Sequence, residues 1–386
     1  MRCKACSRAR RATPAEAHVK IALVVPGGVD RSGEYRIIPA VLALISRLAQ
    51  HHELHVFALR QEPHPGSWEL AGAQIRNIGT AHTRRRALQS LRAEHRRRRF
   101  DLIQSIWSGD CGLIALIAAR WLAVPCAVHV AGGEPVALTD IKYGGRLTWR
   151  GRLRETIVMR AADAVTAASA PMIAALAPHR SARRIPLGVD LDVWRPAPPV
   201  RRTPGSIARF AHVASLNRVK DQPMLLRALA LLARENLAFE VDVIGEDTLN
   251  GEIQRLAGRL GLESRVRFHG FKTQSALRPL LESAQLLIVS SRHEAGPLVV
   301  LEAALLGVPT VGTAVGHIAE WTPDCALAVP VGDSHALAAA IRRVILDEEL
   351  RLKLAQEAHA RARREDAAHT AREFMKLYDE LTGRHD

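Results

Sequence analysis

The sequence predicts an α/β protein with two Rossmann-like domains, and three features of the chain lead to this expectation. Short apolar segments of strand length alternate with helical patterns along most of the 386 residues. A proline-rich, basic segment interrupts the alternation near residue 200. The chain is also long enough for two domains of ordinary size, each with its own core.

Six apolar segments in the first half have the length and composition of β-strands. They lie at residues 19–25, 54–59, 73–78, 101–107, 126–130 and 163–168. Amphipathic patterns at residues 36–50 and 111–122 predict two of the intervening helices. Because strands joined by crossover helices pair in parallel, we expect one doubly wound sheet in a first domain at residues 19–195.

The second half repeats this alternation after a linker. Five segments predict strands at residues 208–214, 239–245, 265–270, 286–290 and 309–313. The stretch RPAPPVRRTPGS is rich in proline and arginine and lacks a hydrophobic period, so we interpret residues 196–205 as the linker. The second domain is expected at residues 206–365, followed by a last helix at residues 366–386.

The composition favours a soluble globular protein. Hydrophobic residues make up 48% of the chain, and no apolar run reaches the roughly 18 residues of a membrane span. The basic segment at residues 1–18 has no apolar core behind it, so we expect a disordered tail, no secretory signal and a cytoplasmic protein. Cys3 and Cys6 form a single CxxC, which favours a tail with two thiols over a metal site.

The net charge of +15 belongs entirely to the first half of the chain. Residues 1–200 hold thirty Lys and Arg against fifteen Asp and Glu, whereas residues 201–386 hold twenty-four of each. The excess peaks at Arg84–Arg99, which fits a solvated helix face, a patch for an anionic membrane or acidic acceptor, or a nucleic-acid patch. No aromatic residues interleave with these arginines, so we expect no nucleic-acid partner and keep peripheral contact with the inner membrane face as a candidate.

Two glutamates in the segment HEAGPLVVLEAALLGVP suggest a binding site at the start of a helix. Pro297 suits the first helical turn after an apolar strand, and Gly307 suits the helix end. The free N–H groups at such a helix start attract an anion such as a phosphate. Glu294 lies just before this point, where the alternative is an exposed loop glutamate. Glu302 interrupts an apolar run, and because an unpaired buried carboxylate is costly, this position favours a role in binding.

The two carboxylates and the helix start together fit a nucleotide sugar. A carboxylate accepts two hydrogen bonds and therefore suits a pair of sugar hydroxyls. The loop with Glu294 follows the carboxyl end of a strand, which is where ligands bind in open α/β sheets. Phosphate on the amides and diols on the carboxylates predict a nucleotide-sugar site around Glu294 and Glu302.

A second strand–loop–helix unit carries basic residues. In HVASLNRVKDQPMLLRALALL, Asp221 is a predicted helix cap and Pro223 lies in the first turn. Arg218 and Lys220 therefore lie at a helix start, where they can neutralise a leaving diphosphate. The alternative is that both are exposed loop charges.

Two glycines follow the first strand, in VVPGGVDRSGEYR. Gly27 and Gly28 permit a tight turn and a close approach of the backbone to a ligand. The segment is not a GxGxxG motif, and no acidic residue ends the second strand near Leu59, so a nicotinamide cofactor is not indicated.

These three elements, in this order, resemble family 4 of the retaining glycosyltransferases, which have the GT-B fold. The resemblance extends from about Val19 to Leu381. HEAGPLVVLEAALLGVPTVGT resembles the family's E-x7-E signature, and ASLNRVKD resembles its donor-phosphate loop. VDVIGED, VRFHGF and IPLGVDLDVWRP resemble further family segments. The resemblance implies two Rossmann-like domains that face each other across a cleft, with the last helix returning toward the first domain.

The resemblance also implies roles for individual residues. Glu294 would contact the transferred sugar, Glu302 would contact the ribose, and Lys220 and Arg218 would face the diphosphate. The other implied donor-binding residues are Gly27, Gly28, Ser215, Asn217, Gly245, Gly296, Pro297 and Leu298. The family typically requires no metal, so the nucleotide sugar is the expected co-substrate and no cofactor or metal ligand is expected.

The sequence departs from the family pattern at several positions. Ala-Gly-Pro follows Glu294 where Gly-aromatic-Gly is common, and Ser215 stands where the phosphate loop usually has arginine. In CAVHVAGGE, Ala131 stands where many members have an active-site histidine. His129 faces the same side of the predicted strand and is therefore a candidate catalytic residue, with a buried, satisfied histidine as the alternative. The candidate acceptor contacts are Glu134, Asp140 and Tyr143.

The resemblance implies a retaining glycosyltransferase that moves a hexosyl group from a UDP- or GDP-sugar to a saccharide or lipid-linked acceptor. We expect a role in cell-surface polysaccharide or glycolipid synthesis, with the first domain meeting the acceptor and the second binding the donor. One alternative is a nucleotide-sugar epimerase of the same fold, for which Glu134 and His129 are the only candidate acid and base groups. Another is a non-catalytic basic protein that binds membranes or nucleic acids.

Overall fold

The computed structural model describes residues 19–176 and 182–383, and the first of its two sheets occupies the N-terminal half. Its strands are β1 (Lys20–Val25), β2 (Glu53–Ala58), β3 (Gly66–Leu70), β4 (Ala73–Asn77), β5 (Leu102–Ile106), β6 (Cys126–Val130), β7 (Ala164–Ala167) and β8 (Arg183–Arg184). The strand order is β3-β4-β2-β1-β5-β6-β7-β8, and every pair except the antiparallel β3–β4 pair is parallel. The predicted tail at residues 1–18, with Cys3 and Cys6, lies outside the described residues.

The second sheet occupies the C-terminal half and is parallel throughout. Its strands are β9 (Ala208–Val213), β10 (Phe239–Ile244), β11 (Val266–Phe268), β12 (Leu286–Val289), β13 (Thr310–Thr313) and β14 (Ala326–Val329). The order is β11-β10-β9-β12-β13-β14, so the chain reverses direction across the sheet beside β9. In the first sheet the same reversal occurs beside β1. Both sheets are therefore doubly wound, and each has a switch point at its carboxyl edge where a ligand can bind.

Helices cover both faces of each sheet. In the first half they are α1 (Pro39–Leu48), α2 (Thr83–Arg97), α3 (Asp110–Leu122), α4 (Trp149–Ala161) and α5 (Ala170–Leu176). In the second half they are α6 (Gln222–Arg234), α7 (Glu252–Arg259), α8 (Gln274–Glu282), α9 (Leu298–Leu305), α10 (Gly316–Trp321), α11 (Ser334–Leu346), α12 (Glu348–Arg364) and α13 (Ala367–Thr382). In the described part of the chain, none of these helices has the length and apolar character needed to span a bilayer.

The eleven strands predicted from apolar segments are all present, and three further strands appear. Strand β3 was missed because it is an antiparallel edge strand with no fully buried residue. Strand β8 has two residues, and β14 follows a short helix and a Thr-Pro-Asp turn that conceal its four apolar residues. The parallel core strands were easier to predict because burial on both faces gives continuous apolar runs.

The central strand β1 shows how the first sheet is buried from both sides. Ala22 and Val24 pack in the cluster that also contains buried residues of α2, α3 and α4. Ile21 and Leu23 point the other way, into the cluster formed with α1 and α13. Side chains alternate across a strand, so one continuous apolar run supplies both cores.

The last helix, α13, crosses back to the N-terminal half. It packs against α1 and touches β5, where the Tyr378 hydroxyl donates to Oε1 of Gln104. Thr370 accepts a hydrogen bond from the Gly188 N–H at 2.8 Å and donates to the Pro186 carbonyl at 2.7 Å. The predicted linker, residues 196–205, lies against the C-terminal half, where the Ala197 N–H donates to the Leu305 carbonyl at 2.8 Å.

Candidate active site

Two loops of the C-terminal half form one side of the candidate site. They follow β9 and β12, which are neighbours in the sheet, so the loops emerge side by side at its carboxyl edge. The Ser290 hydroxyl donates to the Lys220 carbonyl at 2.7 Å, and the Arg292 N–H donates to the Val219 carbonyl at 2.7 Å. These bonds fix the basic loop that begins α6 against the acidic loop that begins α9.

Glu294 and Lys220 form the central ion pair of these loops. The Lys220 Nζ lies 2.6 Å from Glu294 Oε1, and the Ser291 hydroxyl donates to the same oxygen at 2.6 Å. Both charged side chains are largely shielded, with 24% of Lys220 and 13% of Glu294 exposed. Lys220 and Glu294 are 74 positions apart in the chain and were predicted from two separate motifs. The structure brings them into contact.

The loop before α6 is held in shape by its own polar groups. The Asn217 side-chain oxygen accepts hydrogen bonds from the Val219 and Lys220 N–H groups, each at 3.2 Å. Asp221 caps α6, as predicted, by accepting from the Met224 N–H at 3.2 Å. The Ser215 carbonyl accepts from the Gln222 side chain at 3.1 Å. The side-chain oxygen of Asn217 is thus occupied within the loop, where it stabilises the turn that carries Lys220.

The start of α9 presents backbone N–H groups toward the same region. The helix begins at Leu298, with Pro297 as the preceding cap residue rather than inside the first turn. Within the described residues, the N–H groups of Gly296 and Leu298 have no recorded hydrogen-bond partner. Gly296 also lies so close to His317 that an added Cβ would stand 2.8 Å from its Nε2. A glycine is therefore required here, and the loop has free donors for an anion.

Glu302 lies further along α9 and is buried. It is 6% exposed and lines a cavity of about 270 Å³, together with α1 residues, Trp194, Gln274 and Leu298. Burial raises the pKa of its carboxyl to about 8, so the group is largely protonated at neutral pH. A protonated carboxyl has both a donor and an acceptor for a diol in this cavity.

The N-terminal half contributes a loop that follows β6. Glu134 in this loop is half-buried, and its Oε1 accepts from the Ser108 N–H at 2.9 Å while its buried Oε2 has no partner within the described residues. Burial raises the pKa of Glu134 above its usual value, partly offset by backbone hydrogen bonds. Burial raises the pKa of Tyr143 to about 12, and the negative charges of Glu294 and Glu134 make smaller contributions to the increase. Tyr143 packs on Gly133, beside Glu134 in the chain, so closely that an added Cβ would stand 2.5 Å from the Tyr143 hydroxyl oxygen.

Contacts between the two halves close the site. His293 Nε2 lies 3.3 Å from the Gly132 carbonyl, and its ring centroid lies 6.0 Å from that of Tyr143. The Ser169 hydroxyl donates to the Ala295 carbonyl at 2.6 Å. The loop with Glu294 therefore touches the N-terminal half on two sides.

Asp140 is paired with a residue of the C-terminal half. It was a candidate acceptor contact, but its carboxylate forms an ion pair with Arg292 across the cleft. This hydrogen-bonded arginine lowers the pKa of Asp140 below its usual value. The ion pair contributes to the contact between the halves, and contact of Asp140 with an acceptor stays a prediction.

The turn after β1 uses its glycines for packing. The Gly28 and Val29 N–H groups donate to Gln61 Oε1 at 2.6 and 3.0 Å. Gly28 has a φ of 79°, and an added Cβ would stand 2.4 Å from Ile38. The predicted approach of Gly27 and Gly28 to a donor must therefore be corrected for Gly28, whose amide is already bound within the protein.

Gly245 also has a structural reason to be glycine. Its φ is 153°, and an added Cβ would stand 2.0 Å from the Ala214 carbonyl oxygen. Its N–H donates to the Gly270 carbonyl at 2.9 Å. The end of β10 thus packs closely on the end of β9, and the Gly245 amide is occupied. Contact of Gly245 with the donor stays a prediction.

His129 does not reach the cleft. Its Nδ1 lies 2.9 Å from the Thr166 hydroxyl, and its ring lies edge-on to Phe374 of α13 at 5.5 Å between centroids. The side chain is fully buried, and burial lowers its pKa to about 3. The prediction of a catalytic His129 is therefore wrong, because α13 covers this face of the sheet.

Arg218 lies apart from the Lys220–Glu294 pair. Its side chain is 62% exposed and lies 3.5 Å from Glu252. The two basic residues of one motif thus have different surroundings: Lys220 is turned into the site, whereas Arg218 is at the surface. Contact of Arg218 with a diphosphate stays a prediction.

Four residues of the site were not predicted from the sequence. Ser291 and His293 lie in the acidic loop itself, within three positions of Glu294. This closeness in the sequence could have indicated that both belong to the site. The Trp107 indole packs against Gly132, where an added Cβ would stand 2.9 Å from Nε1. His317 is buried against Gly296, and neither ring nitrogen has a partner among the described residues. Trp107 and His317 come from distant elements, so only the fold reveals them.

Comparison with known proteins gives matches over both halves of the chain. The family model described as "Glycosyltransferase Family 4" matches residues 40–193, and the model described as "Glycosyl transferases group 1" matches residues 201–361. A D-inositol 3-phosphate glycosyltransferase of Corynebacterium jeikeium is 30% identical over 216 residues, which cover 52% of this chain and 52% of the relative. The chain spans about half the length of the curated relatives it matches.

Solved structures resemble the fold over nearly the whole chain. Sucrose-phosphate synthase from Thermosynechococcus elongatus has a TM-score of 0.79 at 18% identity and covers 95% of this chain and 100% of its own. Anabaena HepE in complex with UDP-glucose has a TM-score of 0.72 at 20% identity, with 94% and 100% covered. At this level of identity, the likeness shows a shared two-domain fold.

Proposed function

Because the chain belongs to the family 4, group 1 glycosyltransferases with the GT-B fold, we propose that it transfers a hexosyl group from a nucleotide sugar. The proposed donor is a UDP- or GDP-sugar, and the proposed acceptor is a saccharide or a lipid-linked saccharide. The reaction would serve the synthesis of a cell-surface polysaccharide or glycolipid. Anomeric configuration would be retained.

The observation that carries this proposal is the Lys220–Glu294 ion pair beside the free amides of α9. A cation, a carboxylate and two unoccupied N–H donors lie at the switch point of the second sheet. A diphosphate needs the cation and the amides, and a sugar needs a carboxylate that accepts from its hydroxyls. One nucleotide sugar satisfies these groups together.

We place the donor along α9. The diphosphate would lie on the Gly296 and Leu298 amides and on Lys220, with the transferred sugar at Glu294 and the ribose at Glu302. The cavity of about 270 Å³ beside Glu302 offers a partly apolar space for the nucleoside. Ser215, Asn217 and Pro297 would shape the loops around the phosphates. The complex of Anabaena HepE with UDP-glucose supports a uridine nucleotide as the first donor to test.

The chemistry proposed for this site is a displacement at the anomeric carbon on one face of the sugar. The bond between this carbon and the leaving phosphate oxygen breaks, and a bond to the acceptor oxygen forms. The acceptor proton passes to the departing phosphate. Lys220 and the helix amides stabilise the negative charge that develops there, so the proposal includes no metal ion.

The acceptor would bind from the N-terminal half. Glu134, with its unpaired Oε2, and Tyr143 lie on that side of the cleft and would contact acceptor hydroxyls. The name of the Corynebacterium jeikeium relative refers to a phosphorylated polyol. The excess positive charge of the first half supports an anionic acceptor or an anionic membrane surface near Arg84–Arg99, on the cytoplasmic side.

A thermal-shift screen over UDP-, GDP- and ADP-sugars tests the donor. One nucleotide series is expected to raise Tm, with Glu294→Gln reducing the extra shift caused by the sugar. Product analysis then separates the candidates: a new glycosidic product that forms only with acceptor supports transfer. A changed sugar without acceptor indicates epimerisation, and no stabilisation by any nucleotide sugar contradicts the proposal.

A further inference from the structure

Helix α4 exposes three large apolar side chains on its outer side. Trp149 is 62% exposed, Leu153 is 52% exposed and Ile157 is 44% exposed. They are spaced four residues apart and therefore form one stripe along the helix. The inner side of α4 is anchored separately, by the buried Val158 and Met159. The stripe is thus a surface feature that the core of the domain does not use.

Arginines border this stripe without acidic partners. Arg150, Arg152 and Arg160 are exposed, and no ion pair is recorded for them within residues 19–176 and 182–383. The Arg150 guanidinium lies 5.3 Å from the Trp149 ring centroid. The sole acid of α4, Glu155, is buried on the opposite side. The outer side of α4 therefore combines apolar groups with uncompensated positive charge.

The neighbouring helix α2 extends this surface. Helices α2, α3 and α4 pack side by side on the same face of the first sheet, with α3 in the middle. Arg85, Arg92 and Arg96 of α2 are exposed, and the described part of the chain offers them no recorded ion pair. We call this outer surface of α2 and α4 the arginine–apolar face.

We propose that the arginine–apolar face docks on a membrane surface rich in anionic lipids. Tryptophan and aliphatic side chains partition into the interface of a bilayer, and the flanking arginines contact lipid phosphates. A second copy of this chain fits poorly, because a symmetric contact would place arginines against arginines. The face complements a negatively charged, partly apolar surface, and an anionic bilayer has both properties.

Docking in this way places the cleft beside the membrane. Helix α4 follows the loop that carries Glu134 and Tyr143, and its Gly151 packs on Gly145 of that loop so closely that an added Cβ would stand 2.0 Å from the Gly145 carbonyl oxygen. Trp149 begins the helix and is therefore the end of the stripe nearest the cleft. A membrane-bound acceptor would reach the site from this end. The docking itself needs no donor and stands independently of the proposed transfer reaction.

Flotation of the full-length protein with vesicles tests the proposal. The vesicles contain either phosphatidylcholine alone or equal parts phosphatidylcholine and phosphatidylglycerol. We expect binding to the anionic vesicles, and the Trp149→Ser/Leu153→Ser/Ile157→Ser variant is expected to bind about tenfold more weakly because apolar area no longer enters the interface. Raising the salt concentration should weaken wild-type binding, since the arginines contribute through charge.

Leu346→Ser is the matched control, because Leu346 is 63% exposed on the C-terminal half, away from the face. It should bind vesicles like the wild type. The single variant Leu153→Ser, with an expected severalfold loss, serves if the triple variant does not fold. An unchanged Tm, measured without ligand, checks the fold of each variant. Equal binding by the stripe variants and the control would overturn the proposal. Absence of wild-type binding to the anionic vesicles, with or without dimers in light scattering, or preferential binding to duplex DNA, would also overturn it.

Discussion

The ammonium group of Lys220 lies 2.6 Å from Oε1 of Glu294 and joins the loops that begin α6 and α9. The Ser291 hydroxyl completes the arrangement by donating to the same carboxylate oxygen. A carboxylate held in this way keeps its second oxygen available while its charge is balanced. The pair therefore positions a cation and a carboxylate at the switch point of the second sheet, where the proposed donor would bind.

Replacing Glu294 with glutamine should impair transfer far more than nucleotide binding. The variant keeps the size of the side chain but loses the charge that aligns the sugar hydroxyls, so kcat/KM is expected to fall at least about 100-fold. Affinity for the free nucleoside diphosphate should change less than about threefold, because this ligand lacks the sugar. Steady-state kinetics and calorimetric titration measure the two effects. Full transfer activity in the variant would remove Glu294 from the mechanism.

Replacing Lys220 with alanine should weaken binding of the diphosphate itself. Loss of one charge-assisted contact is expected to reduce affinity for the free nucleoside diphosphate about 10- to 100-fold. Arg218→Ala is the matched comparison, because Arg218 is exposed beside Glu252 and should have a smaller effect. Calorimetric titration of both variants gives the comparison. A larger loss for Arg218→Ala would contradict the assignment of the diphosphate to Lys220.

Glu302 should make stability depend on pH. Its pKa is about 8 in the folded protein, against an ordinary value of 4.5 for a solvated glutamate, so the folded state holds a proton that the unfolded chain releases. Its contribution to the free energy of unfolding is therefore present below pH 4.5 and falls as the pH rises toward 8, by about 1.4 kcal/mol per pH unit at most. Glu302→Gln should gain stability relative to wild type from about pH 5 to pH 8 in urea unfolding.

The control for this measurement is Glu349→Gln, since Glu349 is 77% exposed. The difference between this control and the wild type should stay constant over the same pH range. A constant difference for Glu302→Gln as well would show that Glu302 does not retain its proton on folding.

Replacing Glu134 with glutamine should affect the acceptor and leave the donor unaffected. Glutamine retains a carbonyl oxygen for the Ser108 N–H, so the loop should keep its conformation. The acceptor KM is expected to rise about tenfold because the unpaired carboxyl oxygen no longer accepts from acceptor hydroxyls. Donor affinity, followed by thermal shift, should match the wild type. Reduced donor affinity with an unchanged acceptor KM would show that Glu134 contacts the donor and not the acceptor.

Replacing His129 with alanine should reduce stability without a comparable loss of activity. The imidazole fills space between Thr166 and Phe374, so its removal should lower the free energy of unfolding by about 2–4 kcal/mol. The kcat/KM measured well below Tm is expected to stay within about twofold of wild type. Strong loss of activity with unchanged stability would return His129 to the catalytic candidates.

Periodicity and local motifs predicted most of the fold because each of these signals is contained in a short segment. The apolar runs of β1 and β12 and the cap of α6 by Asp221 could be predicted from their own residues. Strand β3 could not, because its stability comes from antiparallel pairing with β4 rather than from burial. Local sequence thus predicts buried elements better than edge elements.

The site was predicted less completely because several of its neighbours come from distant parts of the chain. His129 lies in β6 as expected, but Phe374 covers it from a helix some 245 positions later. Likewise, His317 lies under Gly296 through contacts that no spacing in the sequence encodes. The motif residues Lys220 and Glu294 were found because each lies in a loop that leads into a recognisable helix.

A crystal structure with the best-binding UDP- or GDP-sugar tests the central claim most directly. The account predicts the diphosphate on the Gly296 and Leu298 amides within hydrogen-bond reach of Lys220. It also predicts sugar hydroxyls on the Glu294 carboxylate and the ribose beside Glu302. A nucleotide sugar bound elsewhere, or bound here with both glutamates turned away from it, would contradict the account.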